Sequence, residues 1–136
     1  MERLKIGTAS MRKPRLLLVD DEVLFTRNLQ KLLSRRGYQV STANDGQSAL
    51  GSVEEDEFDV VILDLKMPGM DGITTLKELK KKKPRVEVII LTAHSSVDSA
   101  FEGIQLGAYD YAIKPIQLND LEEKIGEAFE RKLLLE

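Results

Sequence analysis

Short apolar segments alternate with stretches of helical periodicity along nearly the whole chain, and this order strongly limits the folds available to it. Strands that alternate with helical segments typically form a parallel sheet in which each helix is a crossover connection. The predicted strands cover residues 15–19, 38–43, 60–63, 86–91 and 109–113. The alternation therefore predicts one α/β domain of five parallel strands and five helices.

Each predicted helix has apolar residues three and four positions apart, which is the spacing of one buried helix face. These residues are Phe25, Leu29, Leu32 and Leu33, then Ala49, Leu50 and Val53, then Ile73, Leu76 and Leu79, then Val97, Ala100, Phe101 and Ile104, and finally Leu121, Ile125, Ala128 and Phe129. Gly37 and Gly107 are predicted C-caps of the first and fourth helices. Because crossovers are right-handed and helices must cover both sheet faces, we expect a doubly wound, flavodoxin-like sheet of strand order 2-1-3-4-5.

Polar residues directly follow four of the five predicted strands. They are Asp20, Asp64, Thr92 and Lys114, and Asp21 adds a third acid after the first strand. In the expected order these four strands are neighbours, and the carboxyl ends of parallel strands meet at the edge where ligands bind. The sequence therefore predicts one pocket that contains three carboxylates, a hydroxyl group and an ammonium group.

Carboxylates gathered in this way repel one another, by about 4 kcal/mol for each pair at about 4 Å and an effective dielectric constant of about 20. Such a cluster takes up protons or binds a cation. Mg²⁺, or alternatively Mn²⁺, suits oxygen ligands in a chain that has no cysteine and one histidine. Asp64 is then predicted to attack phosphorus and form an aspartyl phosphate, while Lys114 and Thr92 contact the phosphoryl oxygens.

The composition excludes several other classes of function. A net charge of −3 gives no basic footprint for nucleic acid, and no apolar segment approaches the length of a membrane span. The basic run at residues 80–83 is interpreted as the solvated end of a helix. We therefore expect a cytoplasmic domain with no membrane segment and no direct contact with nucleic acid.

The polar, aperiodic residues 1–13 are predicted to be a disordered leader, and residues 14–136 to form the domain. Met11 is an alternative start of the chain.

Five motifs occur in order around these pocket residues. They are VDDE at residues 19–22, LDLKMPGMDG at 63–72, LTA at 91–93, GAYDY at 107–111 and KP at 114–115. With these motifs, the chain from about Arg15 to Phe129 resembles the receiver domain of bacterial two-component response regulators.

The resemblance implies that Asp64 accepts a phosphoryl group from a sensor histidine kinase or phosphotransfer protein. It implies that Mg²⁺ is bound by Asp21, Asp64 and the backbone carbonyl of Lys66, with Asp20 acting through water. Thr92 and Tyr111 would form a coupled switch pair, Lys114 would contact the phosphate, and the peptide bond before Pro115 would be cis. Phosphorylation-dependent dimers would form through the fourth helix, fifth strand and fifth helix. Lys66 and His94 occupy positions that tune the lifetime of the phosphoryl group in relatives. The sequence does not predict whether they lengthen or shorten that lifetime here.

Simpler interpretations exist for single residues. Asp20 and Asp21 alone could be helix caps, Asp64 could begin a turn, and Tyr111 could be a core aromatic. Their joint placement favours the phosphoryl switch, whose chemistry would be limited to its own phosphorylation and dephosphorylation. Two other functions stay open. One is a receiver that binds partners without phosphorylation. The other is a haloacid-dehalogenase type phosphatase, which would need a second Asp where this chain has Lys66.

Overall fold

A computed structural model describes residues 12–67, 70–93 and 97–135. It contains five parallel strands in the order β2-β1-β3-β4-β5, as predicted. The elements are β1 (Arg15–Val19), α1 (Val23–Arg35), β2 (Gln39–Ala43), α2 (Gly46–Glu55), β3 (Val60–Leu63), α3 (Gly72–Lys82), β4 (Glu87–Thr92), α4 (Val97–Gln105), β5 (Asp110–Ile113) and α5 (Leu118–Leu135). No helix in these described ranges is long and apolar enough to cross a membrane.

The core consists of two apolar layers, one on each face of the sheet. One layer joins the sheet to α2, α3 and α4, and the other joins it to α1 and α5. All residues of β3 and β4 are buried, whereas β2 and β5 are partly exposed. Strands buried on both faces are typical of parallel sheets whose helices cover both sides. The central strands therefore hold the residues that follow them in fixed positions.

Local sequence signals account for where several helices begin and end. The carboxylates of Asp45 and Asp71 accept hydrogen bonds from the amides of Ser48 and Thr74 and so cap α2 and α3. Gly37 and Gly107 have φ angles of 95° and 114°, a left-handed conformation that favours glycine. These two glycines end α1 and α4, as the sequence predicts.

Two predicted core residues are exposed. Leu32 of α1 is 44% exposed and Phe101 of α4 is 63% exposed. In α1 the buried residues include Leu29 and Leu33, and Leu32 lies to one side of their face. In α4, Ala100 faces the sheet, and the next residue along a helix lies more than a quarter turn away, at about 100°. The spacing identified both helices correctly, but it defined too wide a buried face.

The basic end of α3 is less solvated than expected. Lys80 is half-buried, and its ammonium group donates hydrogen bonds to the carbonyl oxygens of Pro84, at 3.0 Å, and Val86, at 2.9 Å. Burial lowers the pKa of Lys80. Lys80 therefore satisfies backbone carbonyls beyond α3, whereas Lys81 and Lys82 are exposed.

Most of the predicted leader lies outside the described residues, which begin at Arg12. Arg12 forms an ion pair with the buried Asp59 at 2.9 Å and lies over the ring of Phe129. Lys13 lies over the ring of Tyr38, with its ammonium nitrogen 4.8 Å from the ring centre. These two residues are therefore in contact with the domain.

Candidate functional site

The predicted pocket residues meet at the carboxyl edge of the sheet. Backbone hydrogen bonds continue one residue beyond three strands, from the amide of Asp20 to Ala43, from Asp64 to Val19 and from Lys114 to Thr92, at 2.8–3.1 Å. The backbone of each of these three residues is therefore still hydrogen-bonded to a neighbouring strand. Strand pairing, rather than a loop conformation, therefore fixes where the side chains of Asp20, Asp64 and Lys114 begin.

Three carboxylates form the acidic part of the pocket. Asp20, Asp21 and Asp64 each place an oxygen within 4.8 Å of the others. Asp20 and Asp64 are buried, and Asp21 is exposed. The N-cap of α1 is Glu22, whose side chain makes no capping hydrogen bond, and the Glu22 amide donates to Asp20 Oδ1 at 2.9 Å. Three convergent carboxylates match the oxygen ligands that a hard divalent cation prefers.

The Asp64 carboxylate is held by two donors. The hydroxyl of Thr92, which is fully buried, donates to Oδ1 at 2.8 Å, and the amide of Lys66 donates to the same oxygen at 3.2 Å. Both bonds hold Oδ1, and the other carboxylate oxygen, Oδ2, lies 3.8 Å from the ammonium nitrogen of Lys114. The role of the Lys66 carbonyl as a metal ligand stays a prediction.

Lys114 supplies the positive charge of the pocket. Its ammonium nitrogen lies 2.6 Å from Asp20 Oδ2, 3.0 Å from Glu22 Oε1 and 3.8 Å from Asp64 Oδ2. It also lies 4.3 Å from the ring centre of Phe25, a cation–π distance. Burial would lower the pKa of Lys114, but its hydrogen bonds to Asp20 and Glu22 outweigh that effect and the pKa is raised. Lys114 is therefore held as a cation.

Asp20 is a pocket carboxylate whose pKa is raised above its ordinary value. Burial raises its pKa, and the neighbouring negative charge of Asp64 raises it further. The hydrogen bonds from Lys114 and from the Glu22 amide lower it but only partly compensate. A cation placed between Asp20 and Asp64 would relieve this repulsion.

Three further predictions have different outcomes. The peptide bond between Lys114 and Pro115 is cis, as predicted. Tyr111 lies in β5 opposite Ile90 and packs partly buried against the core, and none of the described hydrogen bonds joins it to Thr92. His94 and the Pro68-Gly69 part of the loop after β3 lie outside the described residues.

Sequence reasoning missed three residues that contact the site. Glu22 and Phe25 both contact Lys114, and Asn44 donates a hydrogen bond to the carbonyl of Asp20. Glu22 lies within the VDDE motif, which was a usable signal. The helical spacing places Phe25 on a helix face and nothing more, and no pattern singles out Asn44, because the contacts of both residues depend on how separate elements pack.

Comparison with known proteins identifies the family. The family model described as "Response regulator receiver domain" matches residues 16–126, which include all the pocket residues. The chain belongs to this family. It is therefore a signal-transduction receiver domain of the kind found in two-component systems.

Curated relatives of this receiver domain are regulators of greater length. It is 46% identical over 121 residues to the transcriptional regulatory protein ZraR of Klebsiella oxytoca, covering 89% of this chain and 27% of that protein. It is 41% identical over 107 residues to the regulatory protein AtoC of Escherichia coli, covering 79% of this chain and 23% of that protein. The receiver domain thus spans about a quarter of the length of these relatives.

Solved structures agree with the family. A response regulator receiver domain protein from Clostridium thermocellum superposes with a TM-score of 0.85 at 39% identity, covering 90% of this chain and 98% of that one. NtrX from Brucella abortus, in complex with ADP, also gives a TM-score of 0.85, at 32% identity, covering 89% of this chain and 28% of that one. The receiver fold thus matches nearly the whole of one solved chain and 28% of a longer one.

Proposed function

We propose that this receiver domain accepts a phosphoryl group on Asp64 from a phosphohistidine of a sensor histidine kinase or phosphotransfer protein. The position of Asp64 carries the proposal. Asp64 is 7% exposed, and its carboxylate lies 2.8 Å from the Thr92 hydroxyl and 3.8 Å from the Lys114 ammonium group. A nucleophilic oxygen, a hydrogen-bond donor and a cation are thus within reach of one phosphoryl group.

The donor set supports a divalent metal ion as part of this site. Asp20, Asp21 and Asp64, with the backbone carbonyl of Lys66, would hold Mg²⁺ or Mn²⁺. When bound, the ion neutralises carboxylate charge and polarises the oxygens of the phosphoryl group. A site with three acids and one ammonium group has a formal excess of negative charge, which favours the binding of a divalent cation.

The transfer step is a displacement at phosphorus. A carboxylate oxygen of Asp64 forms the new P–O bond as the P–N bond to the donor imidazole breaks. The electron pair of that bond returns to the imidazole, which leaves as a neutral ring when its second nitrogen carries a proton. Lys114 and Thr92 would stabilise the negative charge on the phosphoryl oxygens during this step.

Phosphorylation would then act as a switch. The aspartyl phosphate adds about two negative charges and three acceptor oxygens to the pocket. Lys114 would turn from Asp20 toward the phosphoryl group, and Thr92 would leave Asp64 Oδ1 to donate to it. Thr92 ends β4 and Lys114 directly follows β5, so their movement would shift the segments that follow these strands, with Tyr111 adjusting beside them.

The donor protein would dock on the rim near α1. Any phosphodonor must bring its histidine to Asp64, and α1 starts beside this pocket with Val23 50% exposed and Leu24 69% exposed. A cavity of about 230 Å³ between α1 and α5 is lined by apolar residues that include Leu32 and Ile116, and also by Lys114. An apolar surface beside a charged pocket suits a partner helix that carries the phosphohistidine. The proposal includes a cytoplasmic location, because kinases use intracellular ATP.

The surface of α4, β5 and α5 is proposed as a phosphorylation-dependent dimer interface. The exposed Phe101 on α4 supports this assignment, because a large exposed aromatic side chain is typical of interface anchors. Sedimentation equilibrium with and without beryllofluoride, a phosphoryl mimic, tests it. An unchanged mass would contradict the dimer. We also propose that residues 14–136 are the receiver domain and regulate a separate output activity, with Arg12 and Lys13 lying against the domain and not in a disordered leader.

Two alternative functions receive less support. A phosphatase of the haloacid-dehalogenase type needs a second acid two residues after the nucleophile, where this chain has Lys66 with its side chain exposed. A receiver that acts only by binding partners would have no use for the convergent acids, Thr92 and Lys114. We therefore propose a regulatory domain whose chemistry is limited to its own phosphorylation and dephosphorylation.

Intact mass spectrometry after incubation with acetyl phosphate tests the proposal. Wild-type protein should gain a single phosphoryl group in the presence of Mg²⁺ and none in EDTA. Asp64→Asn should gain none, whereas Asp56→Asn, at an exposed acid at the end of α2, should behave as wild type. An adduct on Asp64→Asn would show that the acceptor is wrong. No adduct on any protein would favour the partner-binding function, and continuous phosphate release would favour the phosphatase.

A further inference from the structure

We propose that Asn44 is a positioning residue for the metal site, acting through the backbone of Asp20. The inference rests on the proposed Mg²⁺ site and assigns a function to a residue outside it. Asn44 is the first residue after β2, on the edge strand that contributes no carboxylate to the pocket. Its side-chain amide nitrogen lies 2.7 Å from the carbonyl oxygen of Asp20.

This hydrogen bond extends the pairing of β1 with β2. The two strands pair in register up to Val19 and Ala43, and the amide of Asp20 then donates to the carbonyl of Ala43 at 3.1 Å. Asn44 supplies the next donor from its side chain instead of its backbone. The Asp20 peptide groups are therefore held by β2 on both sides of the residue.

A second contact anchors the Asn44 amide to α1. The same nitrogen lies 3.3 Å from the hydroxyl oxygen of Thr26, which is 2% exposed and itself donates to the carbonyl of Val23 at 2.9 Å. An amide nitrogen has two hydrogens, and both have acceptors here. Asn44 thus joins β2, the segment between β1 and α1, and the first turn of α1.

The hydrogen bond from Asn44 affects the metal site through Asp21. Within the described residues, no hydrogen bond holds the Asp21 carboxylate, so its direction depends on the backbone that carries it. The carbonyl that Asn44 binds belongs to the peptide group between Asp20 and Asp21. Fixing this peptide group keeps the exposed Asp21 oxygen within 4.8 Å of Asp20 and Asp64 before any cation binds. A pocket ordered in advance loses less conformational entropy when it binds a cation.

Isothermal titration calorimetry with MgCl₂ tests the inference, together with urea denaturation in EDTA. Asn44→Ala should weaken Mg²⁺ binding by about tenfold, the usual effect of removing a partner that orients a ligand. Thr26→Val keeps the first hydrogen bond and removes the acceptor of the second, so it should weaken binding less, in the same direction. Asn119→Ala, at an exposed asparagine of α5, should bind as wild type.

The outcomes separate this inference from the proposed function. If wild-type protein binds Mg²⁺ and Asn44→Ala binds it equally well, the positioning role is wrong and the metal site stands. If Asn44→Ala only lowers stability in EDTA, with an unchanged dissociation constant, Asn44 is purely structural and the inference is overturned. If wild-type protein gives no binding heat and no stabilisation by Mg²⁺, the metal site fails and the inference fails with it. Should Asn44→Ala not fold, an unchanged affinity in Thr26→Val would overturn the inference.

Discussion

Lys114 and Asp20 form an ion pair in which the ammonium nitrogen lies 2.6 Å from Oδ2. The side chain of Asp20 is 4% exposed and that of Lys114 is 17% exposed, so solvent screens the pair only weakly. A bound metal ion would compete with Lys114 for Asp20, and a phosphoryl group would compete with Asp20 for Lys114. In the proposed mechanism the pair would stabilise the unphosphorylated state and would have to loosen on phosphorylation.

Replacement of Lys114 by Met should separate these two effects. Without Mg²⁺, Lys114→Met leaves Asp20 buried without its cation, and we expect a loss of about 2 kcal/mol in the free energy of unfolding. The stabilisation gained on adding Mg²⁺ should become larger than in wild type, because no ammonium group competes for Asp20. Urea denaturation in EDTA and in MgCl₂ measures both quantities.

Lys124→Met is the matched control for this experiment. Lys124 pairs with Asp110 at the same distance of 2.6 Å, but outside the acidic cluster. Lys124→Met should lower stability slightly and leave unchanged the stabilisation gained on adding Mg²⁺. An Mg²⁺ increment in Lys114→Met no larger than in the control would contradict competition between the ammonium group and the metal.

Replacement of Thr92 by Val should uncouple phosphorylation from the switch. Thr92 is fully buried and Val has nearly the same volume, so the main loss is the hydrogen bond to Asp64, which contributes about 1 kcal/mol to stability. We expect Thr92→Val to bind beryllofluoride at Asp64 without the chemical-shift change at the Tyr111 amide that wild type gives. Two-dimensional NMR of ¹⁵N-labelled protein measures this change.

Thr92→Ser and Thr75→Val complete that test. Serine restores a hydroxyl donor and should recover the Tyr111 response. Thr75 is also fully buried, but its hydroxyl donates to the carbonyl of Asp71, the N-cap of α3, so its replacement should leave the response intact. A normal Tyr111 response in Thr92→Val would mean that the signal leaves the pocket by another route.

Sequence reasoning located the pocket because its members depend on strand order. Asp64 and Lys114 each follow a strand, and the rules for parallel sheets bring those strand ends to one edge whatever the side chains do. The contacts of Asn44 and Phe25 depend instead on the distance between β2, α1 and β5 once they are packed. A periodic pattern contains no such distance, so these contacts could be found only in three dimensions.

The same limit explains the errors about burial. Phe101 shares a four-residue spacing with Val97, which predicts a common face, but the spacing does not say where the sheet lies relative to that face. Arg12 shows the limit at long range, since nothing near it in sequence indicates that Asp59, 47 residues away, is its partner.

The lowered pKa of Asp59 predicts that the domain loses stability in acid. Burial alone would raise the pKa of this carboxyl group, but hydrogen bonds from Arg12, the Arg15 amide and Lys132 outweigh it and lower the pKa to about 2. An unfolded chain titrates Asp at about 3.9, so the carboxylate stabilises the fold by about 2 kcal/mol above that pH. This contribution to stability is lost as the pH falls from the unfolded-state pKa through the folded-state pKa of about 2.

The free energy of unfolding measured by urea between about pH 2 and pH 5 tests this contribution. Asp59→Asn should be less stable than wild type at neutral pH, and its stability should fall less steeply on acidification. Asp56→Asn, at an exposed acid, should retain the steep fall of wild type. Parallel profiles for wild type and Asp59→Asn would rule out Asp59 as a source of the acid sensitivity.

Two helical glycines should respond in opposite ways to replacement by alanine, although helix propensity alone predicts the same modest gain in stability at both. A Cβ added at Gly126, on the exposed side of α5, would meet no atom within 4 Å, so Gly126→Ala should stabilise the domain by up to about 1 kcal/mol.

A Cβ at Gly103 would lie 2.3 Å from Cδ1 of Ile90, a fully buried residue of β4. Overpacking of this kind costs about 1–3 kcal/mol, more than the gain in helix propensity, so Gly103→Ala should lower stability. Urea denaturation of both variants measures the difference. A gain in stability for Gly103→Ala would mean that the terminal methyl group of Ile90 can rotate away or that α4 can move from β4, and the tight contact would then not be a fixed feature of the fold.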